Sequence, residues 1–101
     1  MRVLLIDDHA LVRKGIAELL ASRGVQVVAS VSSGREGIAR ASELPCDVIL
    51  LDIKMPGLSG IETLKELRAS GNRTPVVMLT MSREEADLGA AIRAGAQGYL
   101  L

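Results

Sequence analysis

Three short runs of this chain, Val3-Leu4-Leu5-Ile6, Val48-Ile49-Leu50-Leu51 and Val76-Val77-Met78-Leu79, are apolar at every position. A strand with one wet face alternates apolar with polar residues. An unbroken run instead requires cover on both faces, and that points to a parallel sheet with helices above and below. Strands are therefore expected over 3–6, 48–51 and 76–79, with two more over 25–31 and 99–101. Between them the apolar residues recur at helical spacing. Val12, Ile16, Leu19 and Leu20 make one stripe, Ile61, Leu64 and Leu67 another, and Leu88, Ala91, Ile92 and Gly95 a third. The segment 34–42, with Ile38, is a weaker fourth. Three of the four open as a capping box: Ser33 with Glu36, Ser59 with Glu62, Ser82 with Glu85. Gly24, Gly71 and Gly95 stand where helices should stop. The alternation gives β-α-β-α-β-α-β-α-β, a flavodoxin-like, doubly wound α/β fold with strand order 2-1-3-4-5.

A chain of 101 residues makes one domain rather than two. Its only aromatic is Tyr99, so the core must be aliphatic. Twelve basic residues balance twelve acidic ones, which leaves no electrostatic footprint for nucleic acid or an anionic membrane. The single cysteine, Cys46, excludes an internal disulfide and suits a reducing cytoplasm. With no His or basic cluster beside it, it reads as a small buried hydrophobe at the start of a strand rather than a reactive thiol. The first apolar run meets two aspartates after four residues, too soon for a signal peptide or a membrane span. A soluble, cytoplasmic domain is expected.

In an open parallel sheet, ligands bind beyond the carboxyl ends of the strands. There the sequence places Asp7 and Asp8 after the first strand, Asp52 after the third and Thr80 after the fourth. In the order 2-1-3-4-5 those strands are neighbours, so three carboxylates and a hydroxyl converge on one edge. Any one aspartate at a strand end can be a simple helix cap, and Asp8 stands near such a position. The convergence of all four is the stronger signal. With no Lys or Arg at those strand ends, the crowded carboxylates call for a hard divalent cation, Mg²⁺ above all. A carboxylate beside such an ion can act as a nucleophile toward a phosphoryl group. Asp52 is best placed for that role, with Asp7, Asp8 and the backbone carbonyl of Lys54 as metal ligands and Thr80 as a hydrogen-bond donor to the phosphoryl oxygens. The loop that follows Asp52 is expected to be stiffened by Pro56 and turned by Gly57 and Gly60. His9 reads either as a metal ligand or proton shuttle, or as a partly exposed residue at a helix start. The second is favoured because Mg²⁺ prefers oxygen. Met81 either screens a phosphoryl group from water or packs.

These residues resemble the receiver domain of two-component response regulators. Leu5-Ile6-Asp7-Asp8, Asp52 with Met55-Pro56 and Gly60, Thr80 closing a Val-rich strand, and Gly95-Ala96-Gln97-Gly98-Tyr99-Leu100-Leu101 carry the likeness. The stretch 7–16, Asp-Asp-His-Ala-Leu-Val-Arg-Lys-Gly-Ile, is most similar to receivers of the NarL/FixJ type. The resemblance implies that Asp52 is phosphorylated by a sensor histidine kinase and that Asp7 and Asp8 bind Mg²⁺. It also makes Thr80 and Tyr99 a switch pair, although a lone tyrosine in a last strand serves equally as packing. DNA would be reached only through an output domain outside residues 1–101. Receivers carry a lysine just past the fifth strand and then a fifth helix. The sequence stops one residue short of that lysine, so a C-terminally incomplete receiver is expected, prone to self-associate through an uncovered sheet face or the edge of the fifth strand.

Three other classes compete. A dehalogenase-like phosphohydrolase wants a second aspartate two residues after the nucleophile, where this chain has Lys54. A flavodoxin-like cofactor binder wants aromatics and hydroxyl-rich loops. A pure dimerisation module, its phosphorylation chemistry weakened by the missing lysine, stays open. No metabolic enzyme is expected.

Overall fold

Every fully apolar run is a strand. In the computed structural model, which describes residues 1–79 and 98–100, five parallel strands form one sheet. They are β1 (Arg2–Ile6), β2 (Gln26–Val31), β3 (Val48–Asp52), β4 (Val76–Leu79) and β5 (Gly98–Leu100), in the order β2-β1-β3-β4-β5. Parallel neighbours need crossovers, and the described ones carry α1 (Ala10–Ser22), α2 (Gly34–Glu43) and α3 (Gly60–Ala69). The helix expected near 88–95, with its Ser82–Glu85 cap and its Gly95 stop, lies outside the described residues.

The unbroken apolar runs do what such runs require. Successive side chains point to opposite faces, so each strand feeds two cores. Leu4 and Ile6, Ile49 and Leu51, Val76 and Met78 turn to the α2/α3 side, where Leu64, Leu67, Val31, Ile53 and Met55 close over them. Val3, Leu5 and Leu50 turn to the α1 side, with Val27, Val48, Val77 and Leu79 around them and Ile16 and Leu20 above.

Capping follows the sequence in part. At Ser59 the box is complete: its hydroxyl accepts from the Glu62 amide, and Glu62 accepts from the Ser59 amide. At Ser33 only half forms, because the Glu36 carboxylate is taken by the Ser32 and Ser33 hydroxyls at 3.1 and 3.2 Å. Gly24 and Gly71 end α1 and α3 with φ of 78° and 87°.

Two expectations need correcting. Cys46 does not start a strand but precedes β3 by two residues. It is half-buried against the α2/α3 core, and burial, reinforced by the Asp47 charge, pushes its thiol pKa up. In α1, the stripe Val12-Ile16-Leu19-Leu20 is not what packs. At about 100° per residue, Arg13, Ile16, Ala17 and Leu20 share one face, and all four are half-buried. Val12 and Leu19 fall to the side at 45% and 58% exposure, and Leu11, on the far side, reaches 83%.

Candidate functional site

Register sets the site. Ile6 lies beside Leu51 on the neighbouring strand, so the residues that follow, Asp7 and Asp52, emerge level at the carboxyl edge. The chain leaves β1 for β2 on one side and β3 for β4 on the other, so this edge is the point where the strand order reverses and a crevice opens. Alternation adds a second constraint. Asp52 shares its face with Val48 and Leu50, which places it at the upper end of the α1 side of the sheet.

Both strand-end carboxylates are withdrawn from solvent, Asp7 at 3% and Asp52 at 8% exposure. Asp7 Oδ1 accepts the His9 amide at 2.8 Å, and Asp52 Oδ1 accepts the Lys54 amide at 3.3 Å. Burial, helped by the neighbouring charges of Asp7 and Asp8, pushes the Asp52 pKa from 3.8 up to about 6, against the opposing pull of the Lys54 amide and His9. A carboxyl with that value is one whose negative charge the fold does not fully compensate.

Asp8 does not cap α1. The N-cap residue is His9, whose side chain makes no capping bond. Asp8 Oδ1 is shut off from solvent and has no hydrogen-bond partner in the protein. An orphaned carboxylate oxygen beside two buried carboxylates is the signature of a cation site. Ligand atoms of Asp7, Asp8, His9 and Asp52 all lie within 4.8 Å of one another. That donor set, rich in carboxylate oxygen, fits a divalent ion such as Mg²⁺.

Two residues at the site were not credited by the sequence reading. Arg13 reaches up from α1 and donates to the Asp7 backbone carbonyl at 2.8 Å. The strand ends themselves carry no cation, as expected, yet a helix brings one to the rim. Its signal was available: Arg13 begins the row Arg13-Ile16-Ala17-Leu20, at the end nearest the aspartates. His9 is 65% exposed as a side chain, as a helix-start histidine should be. Even so, its Nδ1 lies 3.0 Å from Asp8 Oδ1, 3.3 Å from Asp7 Oδ1 and 4.0 Å from Asp52 Oδ2.

The loop after Asp52 folds back over the strand. Ile53 and Met55 are buried in the α2/α3 core, while Lys54 and Pro56 face outward. Gly57 takes the turn with φ of 76°. Gly60 does not, since its φ is not positive. A Cβ there would collide with the Asp52 carbonyl and Ile53 Cα, so this glycine provides space and lets its own amide reach the Ile53 carbonyl at 2.8 Å. A separate cleft of about 480 Å³, lined by Ile53, Lys54, Met55, Pro56, Ser59 and Ile61, opens beside this loop and holds none of the aspartates. Of the remaining expected residues, Thr80 and Met81 lie outside the described residues. Tyr99 is placed only by its backbone, in β5 opposite Met78, and its side chain lies outside the description.

The chain matches the response regulator receiver domain family over residues 3–101. It is 51% identical over 102 residues to a nitrate/nitrite response regulator protein homolog of Haemophilus influenzae, a match covering 100% of this chain and 49% of the relative. To the nitrate/nitrite response regulator protein NarP of Escherichia coli it is 45% identical, over 99% of this chain and 47% of that one. The chain thus spans about half the length of these curated relatives. Among solved structures, the signal receiver domain of the putative response regulator NarL from Mycobacterium tuberculosis superposes with a TM-score of 0.93 at 34% identity, covering 99% of this chain and 82% of that one.

Proposed function

The chain belongs to the response regulator receiver domain family, and on that premise we propose that Asp52 is its phosphoacceptor in a sensor-kinase pathway. Receiver domains are signalling modules rather than typical enzymes, and the buried Asp7–Asp8–Asp52 edge is the observation that carries this reading. An Asp52 carboxylate oxygen attacks phosphorus in the phosphohistidine of a sensor kinase. The P–N bond breaks, the imidazole nitrogen keeps its electron pair, and an acyl phosphate forms. Asp7, Asp8, Asp52 and the Lys54 backbone carbonyl are the proposed holders of Mg²⁺, which when bound offsets the negative charge of the phosphoryl oxygens. Thr80 then donates its hydroxyl to a phosphoryl oxygen, and the Tyr99 ring follows. In the whole protein this switch controls a DNA-binding output domain from the cytoplasm. Among the described helices none is long and apolar enough to cross a membrane.

Intact-mass measurement after treatment with acetyl phosphate and Mg²⁺ tests the assignment. Wild type should gain one phosphoryl group, as a base-labile acyl phosphate, and Asp52→Ala should gain none. An equal gain in the variant moves the nucleophile elsewhere.

A second copy of the chain is the proposed occupant of the outer face of α1, where Leu11, Val12 and Leu19 stand exposed. Light scattering over a dilution series would show apparent mass rising with concentration. A monomer at every concentration rejects that proposal.

A further inference from the structure

We propose that His9, through Nδ1, is an additional protein ligand that turns the carboxylate pocket into a mixed oxygen–nitrogen site, favouring first-row transition ions such as Co²⁺ and Mn²⁺ over Mg²⁺. The inference rests on the reading that Asp7, Asp8 and Asp52 hold a divalent cation.

Position comes first. An N-cap side chain ordinarily folds onto the first-turn amides, and His9 does not: it makes no cap bond, and its ring turns back over the carboxylates. The His9 amide, donated to Asp7 Oδ1 at 2.8 Å, ties the backbone of the histidine to a ligand of the pocket.

The spacings come second. Donors about 2.1 Å from an octahedral ion stand ~3.0 Å apart at adjacent vertices and ~4.2 Å apart across the ion. His9 Nδ1 is 3.0 Å from Asp8 Oδ1, 3.3 Å from Asp7 Oδ1 and 4.0 Å from Asp52 Oδ2. Two adjacent positions and one opposite position describe that set. At 3.0 Å, Asp8 Oδ1 and Nδ1 are close enough for a hydrogen bond, yet the oxygen makes none. Two atoms that sit side by side without bonding each other are arranged as ligands of a third.

Chemistry supplies the selectivity. Mg²⁺ takes oxygen donors and gains little from an imidazole, whereas Mn²⁺, Co²⁺ and their neighbours bind nitrogen increasingly well along the series. Replacing a water by an imidazole at this site therefore raises affinity for those ions and leaves Mg²⁺ almost unchanged.

Calorimetric titration of protein without a histidine tag would decide it, using MgCl₂, MnCl₂ and CoCl₂ on wild type, His9→Ala, His9→Asn and Asp7→Asn. His9 is exposed, and the asparagine variant keeps a good N-cap residue, so folding is not at stake. Both His9 variants should lose about tenfold in Co²⁺ affinity while Mg²⁺ affinity stays within about twofold. The pulsed EPR spectrum of bound Mn²⁺ should show nitrogen coupling in wild type and none in either His9 variant. Absent nitrogen coupling in wild type, or an unchanged Co²⁺-to-Mg²⁺ ratio in the variants, overturns the proposal. So does tighter binding of every ion without His9, which would make the ring a competing counter-charge. Asp7→Asn separates the two levels. If it leaves all three titrations unchanged, the pocket reading itself fails. If it weakens them all while the His9 variants match wild type, only the role of His9 falls.

Discussion

The two faces of the sheet are built to different depths. On the α2/α3 side eleven buried residues form one continuous cluster, with α3 sending Leu64 and Leu67 into it at 0% and 1% exposure. On the α1 side the buried cluster is Val3, Leu5 and Leu50, and α1 itself has no fully buried residue. The thick face carries the stability, and the thin one carries the chemistry. Asp52 stands on the thin side by alternation, and Arg13 and His9 both arrive there from α1 or its cap. A pocket that must admit an ion and a phosphoryl group needs a wall that is not packed solid. The deep opposite core allows that wall to be shallow.

The comparison breaks first at Leu64. Leu64→Ala opens a cavity beneath α3 where neighbours cannot collapse, and urea denaturation should register a loss of about 3 kcal/mol. On the α1 side, Leu20→Ala removes a half-buried side chain, and the same measurement should give roughly 1–2 kcal/mol. Equal losses at the two positions would mean that the faces contribute alike.

At the rim the sign reverses. The folded state raises the Asp52 pKa from 3.8 to about 6, so between those values it holds a proton that the unfolded chain has released. Stability in metal-free buffer should therefore fall as pH rises from about 4 to 6 and stay lowered above that. Asp52→Asn removes this cost, so the variant should be more stable than wild type at pH 7 by about 1 kcal/mol, a figure well below the full shift because the pocket is open to water at its mouth. Thermal melts across pH 4–7 with EDTA present would check both the slope and its disappearance in the variant.

The smallest effect belongs to the outermost residue. Leu11→Ser, at a side chain exposed by 83%, should change the urea midpoint by less than about 0.5 kcal/mol. If α1 is the contact between copies, the same substitution should still lower the apparent mass seen by light scattering. A large stability loss from Leu11→Ser would show that the outer side of α1 is covered in solution.

Much of this molecule could be read in one dimension. Strands with no polar position, such as Val48–Leu51, can be stable only between two layers, and helices of period 3.6 between parallel strands leave one handedness and few orders. Because strands one, three and four neighbour one another in that order, Asp7, Asp8 and Asp52 had to meet at one edge, and Ser59 with Glu62 had to cap what followed. These are short-range or topological consequences, and residue type with spacing is enough to reach them. The rotation of α1 is of another kind. Two rows overlap on that helix, an apolar one through Val12 and Leu19 and a mixed one through Arg13 and Ala17, and both share Ile16 and Leu20. Only the sheet beneath chooses between them, and its choice delivers Arg13 to the Asp7 carbonyl. The same holds for Gly60, whose backbone needs no special φ but lies against the Asp52 carbonyl, and for His9, ordinary by position yet held over three carboxylates. Those facts depend on distances between segments far apart in the chain, and no local pattern encodes such a distance until the layers have packed.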